Sequence, residues 1–303
     1  FVCTDNTTDE NVWVNIGEGV DGVAPIPTWY GDRGTFAGGY NSGFYNNIEY
    51  VSISTTSNTT DFGDLSVARY HFSGCSDGTK GVFGGGDPSD TTLDYITFAT
   101  TGNATDFGDF SNSMHGSGAC SNGNRGVWAR YDLVEYITIA TTSNATAFGS
   151  LSVNRQDLAA CSDGSRGVFG GGSSTNIIDY ITISTTGNTT DLGDLTASRS
   201  YLASCSDTTR GVFAGGATSP YNIMDYITIA TTGNATDFGD IASGGYYVSA
   251  CSDGTYGLLA GGKNGSHTLV NTLQYITIQT TGNTTDFGDL VAARSGVAAT
   301  SGD

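Results

Sequence analysis

The side chains best suited to proton transfer are His71, His115 and Asp157, which lie in stretches that differ between otherwise similar parts of the chain. A hydrolase or lyase needs an acid and a base that converge in one pocket, and these three residues are the candidates for such a pair. The remaining histidine, His267, lies in another such stretch, and the three histidines occupy unequal positions along the repeats of the chain. We therefore predict no catalytic residue and a non-enzymatic protein, with a polysaccharide hydrolase or lyase as an alternative.

Metal chemistry has a weaker basis in the sequence. Asp61 and Asp64 could supply the carboxylate oxygens that Ca²⁺ prefers, but no Asp-x-Asp-x-Asp-Gly loop accompanies them, and aspartates commonly cap turns. The triplet Asp-Phe-Gly resembles the magnesium motif of protein kinases, yet it recurs along the chain without a Gly-rich phosphate loop. A copper centre needs a histidine cluster that the sequence does not contain. We predict no metal and no cofactor.

The elements that must position these residues are repeated along the chain. The stretches DYITFATTGNATDFGD (94–109) and DYITIATTGNATDFGD (225–240) differ at a single position. The tyrosines of all the copies follow one another at intervals of 45, 41, 44, 46 and 49 residues: Tyr50, Tyr95, Tyr136, Tyr180, Tyr226 and Tyr275. A period of this length predicts a solenoid, a propeller or an array, and its units belong to one architecture.

One copy of the repeat contains four strand-like segments. RYHFSGCSDGTKGVFGGG (69–86) reads as two short strands around an Asp-Gly hairpin, and LDYITFATT (93–101) alternates between two faces. The turn GNAT (102–105) and a short strand DFGDF (106–110) complete the unit. Four antiparallel strands in about 45 residues are typical of a propeller blade.

The two ends of the chain complete each other. The C-terminal ARSGVAATSGD supplies only a first strand, and the region from GDRGTFAGG (31–39) onward begins with a second strand. We predict an all-β, six-bladed β-propeller of four-stranded antiparallel blades over residues 31–303, closed by strands from both termini. Residues 1–30 are predicted to be a lead-in or linker segment. The chain begins at Phe1, from which we expect a processed product or a piece of a longer protein.

Composition excludes several classes of partner. Asp and Glu outnumber Lys and Arg by 30 to 11, which gives a formal net charge of −19, so the chain repels phosphate backbones and we predict no nucleic-acid partner. No apolar run approaches the ~18 residues that a membrane span needs, and no membrane insertion is expected.

Three residue slots recur and favour structural roles. Five cysteines occupy one slot, with Thr300 in the last copy, and we predict buried thiols without disulfides because equivalent slots lie a whole blade apart: Cys75, Cys120, Cys161, Cys205 and Cys251. An acidic residue precedes five of the six repeat tyrosines, with Gln274 in the last copy, and it is expected to pair with an arginine that enters the first strand where the blade has one, as in Glu49 with Arg294. Asn-x-Ser/Thr motifs recur in one turn and are interpreted as turn chemistry, with Asn at positive φ, more than as glycosylation sites.

The order of arginine, hairpin, di-glycine, variable connection, tyrosine strand and aromatic strand is similar to kelch repeats. The chain departs from them in carrying Phe or Leu where kelch blades carry Trp, and the third repeat, VWARYD (127–132), lacks the di-glycine. The sequence YITIATTGNATDFGD also resembles repeat arrays in tail-fibre and other structural proteins of marine bacteriophages. This resemblance implies a virion or extracellular protein whose partners include other fibre proteins and further copies of the same chain.

One end of the repeats varies and the other does not. The SDGT and GNAT hairpins share an end and barely change, whereas the opposite connections differ in length and are rich in Tyr, Asn and His. Variable loops on a rigid scaffold are typical of a recognition surface, so we expect this end to bind a host-surface glycan or protein, with an architectural role in a filament or virion as an alternative. The predicted ligand-binding residues are Tyr70, Phe72, His115, Tyr131, Tyr201, Tyr221, Tyr246 and Tyr247.

Overall fold

Six antiparallel sheets form a closed β-propeller, as predicted. The computed structural model describes residues 2–3, 13–14, 30–88 and 91–303, and this part of the chain contains strands and no helix. No helix that could span a membrane occurs among these residues. Val2–Cys3 pairs with Trp13–Val14, while the rest of the predicted lead-in lies outside the described residues.

We number the blades from the one that contains both termini of the propeller. Blade 1 consists of Ala298–Gly302, Arg33–Ala37, Asn47–Ser52 and Thr60–Asp64, and blade 2 of Ser73–Ser76, Lys80–Gly84, Thr92–Thr97 and Thr105–Asp109. Blade 3 consists of Gly118–Ser121, Arg125–Thr138 and Thr146–Arg155, and blade 4 of Ala159–Ser162, Arg166–Gly170, Ile177–Thr182 and Thr190–Asp194. Blade 5 consists of Ala203–Ser206, Arg210–Ala214, Ile223–Thr228 and Thr236–Asp240, and blade 6 of Ser249–Ser252, Tyr256–Ala260, Thr272–Thr277 and Thr285–Asp289.

Blade 1 closes the ring in the predicted way. Its first strand comes from the C-terminus and pairs with the strand Arg33–Ala37, with Ala298 opposite Ala37 and Gly302 opposite Arg33. Blade 3 differs from the others because its second and third strands form one continuous run, Arg125–Thr138. This run passes through the positions where the other repeats carry a di-glycine that turns the chain.

The core lies between neighbouring blades. In one of six similar clusters, Ile48 and Phe62 of blade 1 pack against Phe83 and Phe98 of blade 2. The repeated cysteines lie in these interfaces, where each small sulfur fits over a glycine of the next blade. A Cβ on Gly211 would lie 2.6 Å from Sγ of Cys161. The five thiols are free, buried packing residues, and burial raises the pKa of Cys205 to about 12.

Buried ion pairs tie the entry of the first strand to the third strand, as predicted. Nitrogens of the arginines lie 2.7–3.0 Å from carboxylate oxygens in four pairs: Arg69–Asp94, Arg155–Asp179, Arg199–Asp225 and Arg294–Glu49. In blade 6, Gln274 and Gly245 replace the pair, and Gln274 accepts hydrogen bonds from the Ser243 amide and the Thr284 hydroxyl. This blade therefore keeps a neutral version of the same tether.

The repeated turn asparagines join neighbouring blades. Oδ1 of Asn103 in blade 2 accepts a hydrogen bond of 3.0 Å from the Asp64 amide in blade 1, and the other five blades repeat this contact at 3.0–3.1 Å. The predicted reason for these asparagines was wrong in one respect, because none of them has a positive φ. Their slot is fixed by a contact with the preceding blade.

A second ring of bonds lies near the hairpin end of the central channel. Each serine that follows the cysteine slot donates its hydroxyl to the carbonyl of the corresponding serine one blade before it, at 2.6–2.9 Å. The six donors form a closed circle: Ser76, Ser121, Ser162, Ser206, Ser252 and Ser301. The circle holds the inner strands together at this end.

Candidate binding site on the variable face

The antiparallel order of the strands puts the variable connections at one end of the propeller, which we call the variable face. The hairpins between first and second strands, and between third and fourth strands, lie at the opposite end. At that hairpin end the channel mouth is lined in part by Tyr30, whose hydroxyl lies 3.4 Å from the Ser162 carbonyl. The other mouth opens on the variable face and is lined by residues from all six blades.

A ring of backbone hydrogen bonds surrounds the axis at the variable face. One residue from each blade donates its amide to the carbonyl of the corresponding residue one blade before it, with N···O distances of 2.7–3.1 Å. All six residues have φ between 56° and 66°: His71, Gly116, Asp157, Tyr201, Tyr247 and Gly296. Four of the six are not glycine, and residues with a side chain rarely adopt such a positive φ. Where they do, the surrounding structure holds the strained conformation, and such residues are frequent at functional sites. We call these six residues the axial ring.

The four side chains of the axial ring converge on a small pocket of about 60 Å³. Nε2 of His71 lies 3.0 Å from Oδ1 of Asp157, and the rings of Tyr201 and Tyr247 are 4.2 Å apart between centroids. The phenol of Tyr201 interacts with that of Tyr247 and with the Asp157 carboxylate. Burial is the largest cause that raises the pKa of Tyr247 and of Tyr201, so both phenols are neutral over the physiological range.

One acceptor in this pocket has no donor. Asp157 is 6% exposed, and its Oδ1 makes no hydrogen bond of acceptable geometry within the described part of the chain, despite the close approach of His71. A buried oxygen in this state is costly unless a water molecule or a ligand donates to it. The pocket therefore presents an acceptor suited to a ligand hydroxyl.

Aromatic side chains extend from the pocket in both directions across the variable face. Neighbouring rings in this series have centroids 4.2–6.2 Å apart. The series runs from the blade 1 connection over the axis to connections of blades 5 and 6: Phe44, Tyr40, Tyr70, His71, Tyr201, Tyr247, Tyr246, Tyr221 and His267. We call it the aromatic band. Its outer end is well exposed, with 43% of Phe44 and 38% of Tyr40 accessible.

His115 and Arg130 form a polar corner beside the band. Nη2 of Arg130 donates to Nε2 of His115 at 2.8 Å, and the His115 ring lies 6.2 Å from that of His71. Burial and the adjacent guanidinium lower the pKa of His115 from its usual 6.5, which keeps its imidazole a neutral acceptor. Arg130 also stacks on Tyr131 at 4.0 Å from its ring centroid.

The predicted ligand-binding residues fall into three groups. Tyr70, Tyr201, Tyr221, Tyr246 and Tyr247 lie in the aromatic band, and His115 lies beside it. Tyr131 is exposed on the same face, where its recorded ring contact is with Arg130. Phe72 is 6% exposed and packs in the core against Phe83, and it also lines the pocket at the axial ring.

Sequence reasoning missed Tyr40, Phe44 and the convergence of the axial ring. A signal for the ring was present, since each of its members stands four positions before the repeated cysteine slot, as His71 does before Cys75. Equivalent positions on the innermost strands of a propeller meet at the axis. Read together, the six slots would have identified His71 and Asp157 as neighbours.

Comparison with known proteins adds no further constraint. No family model matches the chain, and no curated protein is significantly similar to it. Within the described residues, no group of three or more His, Cys, Asp or Glu side chains could hold a metal ion.

Proposed function

We propose that this chain is a binding module that recognises a host-surface glycan through the axial ring and the aromatic band, as part of a phage-like virion fibre. The propeller fold is compatible with a binding module. The observation that supports a glycan is the combination of nine neighbouring rings with a buried carboxylate oxygen that, beside His71, makes no hydrogen bond of good geometry. Sugars offer apolar ring faces for aromatic stacking and hydroxyls for such acceptors.

The rigidity of the ring favours recognition of this kind. The closed ring of backbone hydrogen bonds holds Tyr201 and Tyr247 in place before a ligand binds, so little conformational entropy is lost on binding. One stacked ring contributes about 1 kcal/mol, and a single chain would bind weakly. Several copies in a fibre would raise the overall affinity by avidity.

The direct experiment is binding to a printed glycan array with two matched variants. Tyr40→Ala removes a band tyrosine that is 38% exposed, and Tyr131→Ala removes a tyrosine of the same face that is 41% exposed and stacks on Arg130. We expect the first variant to weaken binding about fivefold and the second to leave it unchanged. Loss of binding with Tyr131→Ala alone would move the site to blade 3, and binding of a host protein in place of any glycan would reject the glycan.

The fibre context rests on the resemblance of the repeats to bacteriophage structural proteins. Under this proposal the chain is a virion or extracellular protein, and its other partners are fibre proteins and further copies of itself. Mass spectrometry of purified virions from the source is the test. A folded protein that assembles into a filament and binds no glycan would favour the architectural alternative.

A polysaccharide-cleaving activity is the second candidate because His71 and Asp157 do meet, at 3.0 Å. A histidine oriented by a carboxylate is a familiar general base. Asp157 is, however, the one carboxylate among the residues that line the pocket, whereas most glycosidases use two. Product analysis of array-selected glycans tests this candidate, and we expect no cleavage.

A further inference from the structure

The basic residues of this acidic chain occupy three kinds of position. Four of the 11 Lys and Arg residues form the buried ion pairs with carboxylates. Five more stand at the start of second strands, and each lies over the ring of a third-strand tyrosine, as Arg210 does over Tyr226 at 4.2 Å. These five are Arg33, Lys80, Arg125, Arg166 and Arg210. Both sets belong to the repeat. The two that remain, since 11 − 4 − 5 = 2, are Arg130 and Lys263.

Both remaining cations flank the axial ring. Lys263 belongs to a connection of blade 6, and its Nζ lies 5.6 Å from the centroid of Tyr247. Arg130 belongs to blade 3, which is opposite blade 6 in a ring of six, and it reaches the axial ring through His115. The histidines His71 and His267 belong to the aromatic band between them. Basic side chains that the repeat does not require are thus concentrated around the pocket.

Neither cation has an acidic partner in the part of the chain that the structure describes. No described carboxylate oxygen lies within 4 Å of Arg130 or Lys263, whereas the four buried arginines have theirs at 2.7–3.0 Å. Arg130 is only 4% exposed, and the described acceptors of its guanidinium are all uncharged, on Ser113, His115 and Gln156. A buried guanidinium without a counterion is unfavourable and is normally compensated by a nearby negative charge.

The local balance of charge contrasts with the whole molecule. The net charge is −19, but Asp157 is the one carboxylate among the residues that line the axial pocket, and Lys263, Arg130 and the histidines lie around it. Asp157 already contacts His71 and Tyr201. An anionic ligand would therefore meet a single carboxylate in the pocket and two cations beside it.

We infer that the residue bound at the axial ring is an acidic sugar that carries a carboxylate. Its ring would stack against Tyr247, its hydroxyl would donate to Oδ1 of Asp157, and its carboxylate would face Lys263, with Arg130 adding attraction from the opposite side. This inference rests on the proposed function and names its ligand class.

The test uses an array that pairs each acidic oligosaccharide with its carboxyl-reduced, neutral counterpart. We expect the wild-type protein to bind acidic members at least about tenfold more tightly than their neutral partners. Lys263→Gln should weaken binding of the acidic members about fivefold and leave binding of the neutral ones unchanged. The control is Lys80→Gln, which makes the same change in net charge at the hairpin end, where Nζ of Lys80 donates to the Ile139 carbonyl.

The outcomes separate this inference from the proposed function. Equal binding of acidic and neutral members, with loss in Tyr40→Ala, would overturn the acidic ligand and retain glycan binding. Equal weakening by Lys263→Gln and Lys80→Gln would mean that net charge alone matters, which also overturns the inference. Absence of binding to every glycan by folded protein would overturn both proposals.

Discussion

The ion pair between Arg199 and Asp225 is one of four such pairs, each in its own blade, and in blade 6 two uncharged residues replace the pair. Removal of one partner leaves a buried charge, so we expect Arg199→Gly to lower the free energy of unfolding by about 3–5 kcal/mol. The triple variant R199G/D225Q/A235T gives blade 5 the Gly245, Gln274 and Thr284 of blade 6 and should cost clearly less. Urea unfolding measures both, and equal losses would show that the blade does not accept the neutral tether.

His115 gives a prediction on pH. Its pKa is lowered in the folded protein by burial and by Arg130, whereas an unfolded chain has a pKa near 6.5. The unfolded state therefore takes up the proton first. As a result, the free energy of unfolding decreases as the pH falls below about 6.5. In an NMR titration we expect the His115 signal to move at lower pH than in Arg130→Met. A His115 pKa at or above 6.5 would contradict the arrangement.

The contact of Cys161 with Gly211 joins two strands of neighbouring blades, the first strand of blade 4 and the second strand of blade 5. Gly211→Ala should destabilise by about 1–3 kcal/mol through overpacking. Cys161→Ala in the same chain should recover most of this loss, since it removes the sulfur. Gly187→Ala, in open space at a turn, is the matched control, with a change below about 0.5 kcal/mol. Thermal unfolding that ranks the three variants otherwise would contradict the packing.

Strands could be predicted from the sequence more readily than contacts between blades. In blade 2, Asp94, Ile96 and Phe98 alternate with Tyr95 and Thr97, and burial follows this alternation. The bond from Asp64 to Asn103 could not be predicted in the same way, because it joins residues 39 positions apart across a blade boundary. Local patterns determine a strand, whereas such contacts depend on how the blades pack.

At the scale of the whole molecule, closure of the ring depends on the strand Ala298–Gly302. Without it, the strand Arg33–Ala37 would become an exposed inner edge that invites pairing with other chains. We expect removal of residues 298–303 to cause aggregation and loss of a single cooperative unfolding transition. Removal of Asp303 alone should leave the elution volume and the unfolding transition as in the wild-type protein, although it deletes the bond from the Asp32 amide. Equal elution and unfolding of the two truncations would contradict a closed propeller.

The candidate site also depends on the whole molecule. The sequence therefore predicted the face on which the site lies but only some of the residues of its pocket. His71, Asp157, Tyr201 and Tyr247 come from the entries of four different blades. Their meeting depends on the ring as a whole. The variable connections were visible one by one, and so the tyrosines were predicted and His71, His115 and Asp157 were named as candidates for an acid–base pair, but the sequence did not show which of the three meet.

The most direct test of glycan recognition is a crystal structure of the protein with the tightest oligosaccharide from the array. We predict sugar density against Tyr247 and Tyr201, with a hydroxyl within hydrogen-bond distance of Oδ1 of Asp157. Sugar density confined to the SDGT and GNAT hairpins, with the axial pocket filled by water alone, would contradict the account.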